Sequence, residues 1–150
     1  MAIFGKKSGA NIVRNEAVAR AVLTPSVSTM VADGDVSDAE LAQLSNACAF
    51  SPIFCKFSHE EMHAMIRSII AEISAGGHPA AIKKAAAALT PPLRETALCF
   101  AMRIALADGR VDDGEKNALS ATGQLMQIPT EKFGQIFQFV VMMQRPAVAA

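Results

Sequence analysis

Residues 32–40 read Ala-Asp-Gly-Asp-Val-Ser-Asp-Ala-Glu, and residues 107–115 read Ala-Asp-Gly-Arg-Val-Asp-Asp-Gly-Glu. Each stretch carries the signals of one helix ending and another beginning. Gly34 can take the left-handed backbone conformation that closes a helix. Val36 in the first copy and Val111 in the second are single apolar residues set to be buried in the turn. Ser37 with Glu40, and Asp112 with Glu115, have the spacing of a residue that caps a helix and its partner three positions on. The pattern is helix, tight acidic turn, helix, written twice. Asp33, Asp35, Asp38, Glu40, Asp108, Asp112, Asp113 and Glu115 are eight of the chain's 14 acidic residues, so its negative charge is concentrated in these turns.

The composition agrees with an all-α fold. The 150 residues suit one compact domain with a core that needs no staples. They are 51% hydrophobic and 19% charged, rich in alanine, and lack Trp and Tyr, which favours helix over strand. A formal net charge of +0 gives no basic field for a phosphate backbone, which argues against nucleic acid as a partner. Cys48, Cys55 and Cys99 are odd in number and form no CxxC pair, so neither a disulfide framework nor a thiolate zinc site is expected; a reducing cytoplasm fits. Residues 1–14 lack the apolar stretch of a secretory signal, and no segment approaches the roughly 20 apolar residues of a membrane span. Ile3 and Phe4 beside Lys6 and Lys7 offer at most weak contact with a membrane surface, against the alternative of a loose terminus. Residues 1–10 and 145–150 are expected to be flexible.

Working outward from the turns gives seven to eight helices. The pattern predicts a first helix over residues 11–23, then Thr24-Pro25 as the start of a short second helix running into Asp33-Gly34. The helix after the first turn should bury Leu41, Leu44 and Cys48. Ser51-Pro52 breaks the pattern, and Ser58 with Glu61 forms another capping box. It opens a helix with an apolar stripe of Met62, Met65, Ile66, Ile69, Ile70 and Ile73. Gly76-Gly77 stops it. An alanine-rich helix follows His78-Pro79 to about Leu89, and Thr90-Pro91-Pro92 starts one that reaches Leu106. From residue 97 to residue 107 only Arg103 interrupts an apolar surface, which marks that helix as the buried centre. Residues 129–131 start the last helix, which carries Phe133, Ile136, Phe137 and Val140. Glu131 and Phe133 match Glu60 and Met62. Two diverged copies of one motif, about residues 25–75 and 92–144, would then fold against each other about a pseudo-twofold axis.

If that axis brings the turns together, Asp33, Glu40, Asp108 and Glu115 supply four carboxylates to one place, with Asp35 and Asp112 as secondary candidates. Oxygen ligands of this kind suit calcium, magnesium or manganese better than zinc or copper. Crowded carboxylates relieve their repulsion by raised pKa values or by binding a cation. Helix capping alone, worth about 1 kcal/mol per cap, also accounts for Glu40 and Glu115. The DxDxDG spacing of an EF-hand is absent.

A second pattern competes. His59-Glu60-Glu61-Met62-His63 matches HExxH, in which two histidines hold zinc and a glutamate activates water. No HxxGxxH extension follows, and the matching place in the second copy reads Thr130-Glu131-Lys132-Phe133-Gly134. The possible third ligands Glu72, His78 and Glu95 stand at no established spacing. A third reading is a scaffolding adaptor that uses exposed apolar residues near the chain ends and holds no metal. Cys48 and Cys99 fall on apolar helix faces, as small buried hydrophobes do, and the eight methionines read as adaptable core filling.

At Asp33-Gly34 with Val36 and Ser37-Asp38-Ala39-Glu40, and at Asp108-Gly109 with Val111 and Asp112-Asp113-Gly114-Glu115-Lys116, the chain resembles the TerB family of tellurite-resistance-associated proteins. The resemblance implies an all-α domain of about seven or eight helices with an acidic face and a divalent-metal site where the turns meet, and we read the chain as a non-enzymatic, cytoplasmic member of that kind. It further implies partners among other tellurite-resistance or stress proteins, one of them embedded in the membrane. Arg110 replaces Asp35 in the second turn, so the two copies are unequal in charge.

Overall fold

Asn15 begins the first helix, its side-chain oxygen accepting the Val18 N–H at 3.1 Å. In the computed structural model, which describes residues 13–32, 36, 38–107 and 112–147, seven α-helices follow one another: α1 (Glu16–Val31), α2 (Asp38–Cys48), α3 (His59–Gly76), α4 (His78–Ala87), α5 (Pro91–Ala105), α6 (Asp113–Leu125) and α7 (Thr130–Met143). No strand occurs among the described residues. The expectations for residues 1–10, Gly34, Ser37, Val111 and residues 148–150 lie outside them.

The expected start of a second helix at Thr24-Pro25 is corrected. α1 runs through Pro25 without interruption, and its start lies at Glu16 instead of residue 11. Proline removes the N–H that would bond the Ala21 carbonyl, an intrinsic penalty of about 3 kcal/mol in a helix interior. Burial outweighs it: every residue from 21 to 28 is buried. The threonine hydroxyls of this segment are satisfied within the helix, Thr24 Oγ1 donating to the Arg20 carbonyl and Thr29 Oγ1 to that of Pro25, both at 2.8 Å.

The centre is likewise shared. α5 buries Ala97, Leu98, Ala101 and Met102 as expected, but α1 packs along it and is the more enclosed of the two. α3 lies on α1 with both chains running the same way: Arg14 pairs with Glu61, and six residues later Arg20 reaches Ser68 at 2.8 Å and Glu72 at 2.6 Å. α7 lies on α5 in the same sense, with Lys132 3.9 Å from Glu95 and the Gln144 amide donating to the Arg103 carbonyl at 3.4 Å. α4 packs on α1, where Ser28 Oγ and His78 Nδ1 are hydrogen-bonded at 2.6 Å.

Glu72 joins three helices, accepting from Arg20 and lying 3.2 Å from Lys84. The Arg20 hydrogen bond, and Lys84 after it, hold its carboxyl below the usual range despite partial desolvation. A depressed pKa contributes stability above the unfolded-state value, near 4.3, and loses it as pH falls through the lower folded value. Glu72→Gln is therefore expected to cost up to about 1 kcal/mol at neutral pH, with the gap to the parent chain closing in acid. Urea unfolding at both conditions measures this; a gap independent of pH would contradict the assignment.

Candidate functional site

The acidic turns connect α1 to α2 and α5 to α6. Asp33, Asp35 and Asp108 lie outside the described residues, as does the side chain of Glu40, so the expected meeting of carboxylates lies largely outside them as well. The flanks are defined. Val36 packs, partly buried, against the core, and Leu106 is buried just before the second turn. Asp112 caps α6, its Oδ1 accepting the Glu115 N–H at 2.7 Å, and Glu115 itself is partly buried. Asp112 therefore has a backbone role of its own. Among the described residues no group of three or more His, Cys, Asp or Glu side chains is placed to hold a metal ion.

The HExxH string occupies the first turns of α3. Ser58 Oγ accepts the Glu61 N–H and Glu61 Oε1 accepts the Ser58 N–H, each at 3.1 Å, which completes the expected capping box. Arg14 binds the other Glu61 oxygen and stacks over Phe57 at 4.5 Å; its hydrogen bond, aided by the Ser58 N–H, lowers the Glu61 pKa. The His59 and His63 rings are edge to face with centroids 6.5 Å apart, and His59 and Glu60 are exposed. Glu72 is engaged with Arg20 and Lys84, His78 with Ser28, and Glu95 with Lys132. None of these three completes a zinc site with the pair.

Cys48 is buried beside α5 and Cys99 partly buried on it; burial raises both thiol pKa values, that of Cys48 to about 12 with slight relief from Arg103. Cys55 is exposed. No described helix is long and apolar enough to cross a membrane.

Two concavities were not legible in the sequence, because residues from separate helices form them. One, of about 240 Å³, lies between α5 and α7 and includes Phe100, Arg103, Phe139 and Met143. Phe139, Met142 and Met143 are exposed beside it, in line with the expectation of apolar surface near the C-terminal end. The other, of about 640 Å³, lies between α4, α5 and α6 and has a mixed wall, with Lys83, Arg94, Gln124 and Gln127 set among alanines and Leu125. Gln127 has φ 58°, a left-handed conformation usually given to glycine. It closes α6 as a Schellman motif: its N–H bonds the Gln124 carbonyl, and the Ile128 N–H bonds that of Gly123, both at 3.0 Å.

A family model described as tellurite resistance protein TerB matches residues 19–138. No curated protein and no solved structure gives a significant match.

Proposed function

The chain belongs to the TerB family of tellurite-resistance proteins, and we propose that it acts without catalysis, binding a divalent cation, partner proteins or both on an acidic face built by its two repeated turns. The observation that carries this reading is the placement of eight of 14 acidic residues in two equivalent stretches, one after α1 and one after α5. Glu40 and Glu115 would serve as helix caps and Asp33 and Asp108 as turn formers beside glycine in either case; the repeat of all four in register is what favours a shared site.

Packing supports treating the two stretches as a pair. α1, α2 and α3 follow in the same order as α5, α6 and α7, with α4 between the sets. α1 packs on α3 as α5 packs on α7, α2 touches α3 as α6 touches α7, and α2 touches α5 as α6 touches α1. The helix leaving each turn thus reaches the helix leading into the other. Asp33, Glu40, Asp108 and Glu115 would be the ligands, with Asp35 and Asp112 nearby, and calcium, magnesium or manganese the cation. Partners would be other tellurite-resistance or stress proteins, one of them membrane-embedded, met by a chain working in the cytoplasm.

Calcium at about tenfold excess over its Kd should raise stability by about 1.4 kcal/mol, which is a shift of roughly 3–6 °C in Tm. The Asp33→Ala, Asp108→Ala double variant should lose that increment, whatever its own baseline Tm. A parent chain whose melting ignores calcium, magnesium and manganese alike overturns the cation reading.

A further inference from the structure

We propose that the groove between α4, α5 and α6 binds a small organic anion, with Lys83 and Arg94 taking its phosphate or carboxylate group and the amides of Gln124 and Gln127 its polar body. The groove is independent of the acidic turns.

Its size is the first argument. About 640 Å³ is the range of pockets that accept nucleotide-sized molecules and far more than a bare inorganic ion requires. Its charge is the second. Two cationic side chains line it, and no Asp or Glu among the described residues does. The neighbouring Lys84 is committed to Glu72 at 3.2 Å, whereas Lys83 turns to the groove. α4 and α6 both end here, and each C-terminus contributes about half a negative charge. Two full positive charges exceed that, so the field in the groove stays positive.

Arg94 is held in place, which is the third argument. Its Nε donates to the Ala86 carbonyl at 2.8 Å, and one terminal nitrogen faces Gln127 Oε1 at 3.4 Å. The guanidinium keeps further N–H groups for a bidentate acceptor. Gln127 itself stands where glycine would close the helix without strain, and its side chain is what the groove gains from that choice. Ala87 and Ala121, both exposed, leave the space open.

The test is an amide NMR titration of the full chain with citrate, AMP, inorganic phosphate and adenosine. Saturable shifts at Ala87, Ala121, Gln124 and Gln127 are expected with citrate or AMP, weaker ones with phosphate and none with adenosine. Arg94→Gln should weaken binding at least about tenfold. Ala121→Leu, which keeps a good helix former in α6 and fills the groove, should abolish it. Gln127→Gly should weaken it while Tm holds or rises, because the left-handed position is relieved. That last split distinguishes a ligand role from a structural one. Absence of shifts with both citrate and AMP at millimolar concentration overturns the proposal. So do shifts unchanged in Arg94→Gln, or phosphate binding as tightly as AMP.

Discussion

Leu98→Ala is expected to destabilise the chain by about 3–5 kcal/mol and lower Tm by roughly 6–20 °C. Leu98 is fully enclosed on α5, the helix against which α1 and α7 both pack. Truncation removes three carbons from water-free surroundings, and the cavity that remains cannot collapse easily because two packed helices bound it. The loss should appear as a lower urea midpoint with an unchanged slope, the mark of altered stability with the same folded and unfolded surfaces. Phe50→Ala is the matched control. Phe50 is a larger side chain but is 95% exposed, and its removal should change stability by no more than about 0.5 kcal/mol. Equal effects from the two variants would mean that α5 is not at the centre of the core.

The contrast between Leu98 and Pro25 shows what sequence patterns carry. Local chemistry was legible wherever it decided the outcome: Ser58 with Glu61, Asp112 before α6, and the stop at Gly77, whose φ is 88°, all follow from groups a few residues apart. Uniform apolarity between residues 97 and 107 also identified α5 as buried. Thr24-Pro25 misled because its local signal, an N-cap followed by proline, was overridden from outside α1. Packing by α3, α4 and α5 encloses that segment, and the local rule contains no term for neighbours. The site divides in the same way. The doubled acidic turn is visible as a repeat in one dimension, whereas the groove of Lys83, Arg94 and Gln127 depends on three helices meeting. Its one sequence signal was a helix end at residues 125–127 without the glycine such ends prefer.

Cys48 bears on whether a chain of this family handles tellurite by thiol chemistry, and it should resist alkylation by at least about 100-fold relative to an ordinary exposed cysteine. A thiol with its pKa pushed to about 12 is ionised to about one part in 10⁴ at pH 8, against roughly a quarter for an ordinary cysteine near 8.5. That loss exceeds three orders of magnitude. A more basic thiolate is intrinsically more nucleophilic, which returns about one and a half orders at the usual Brønsted slope. Access then adds to the remainder, since Cys48 is 1% exposed and a reagent must wait for α2 to open. Mass spectrometry after timed iodoacetamide treatment should find Cys55 modified first, Cys99 more slowly, and Cys48 only once urea unfolds the chain. Native labelling of Cys48 at the rate of Cys55 would place a reactive thiol beside α5, and direct reduction of an oxyanion by this protein would become the stronger reading. Protection of Cys48 leaves only Cys55 fully open to solvent. An exposed thiol of this kind can enter a mixed disulfide.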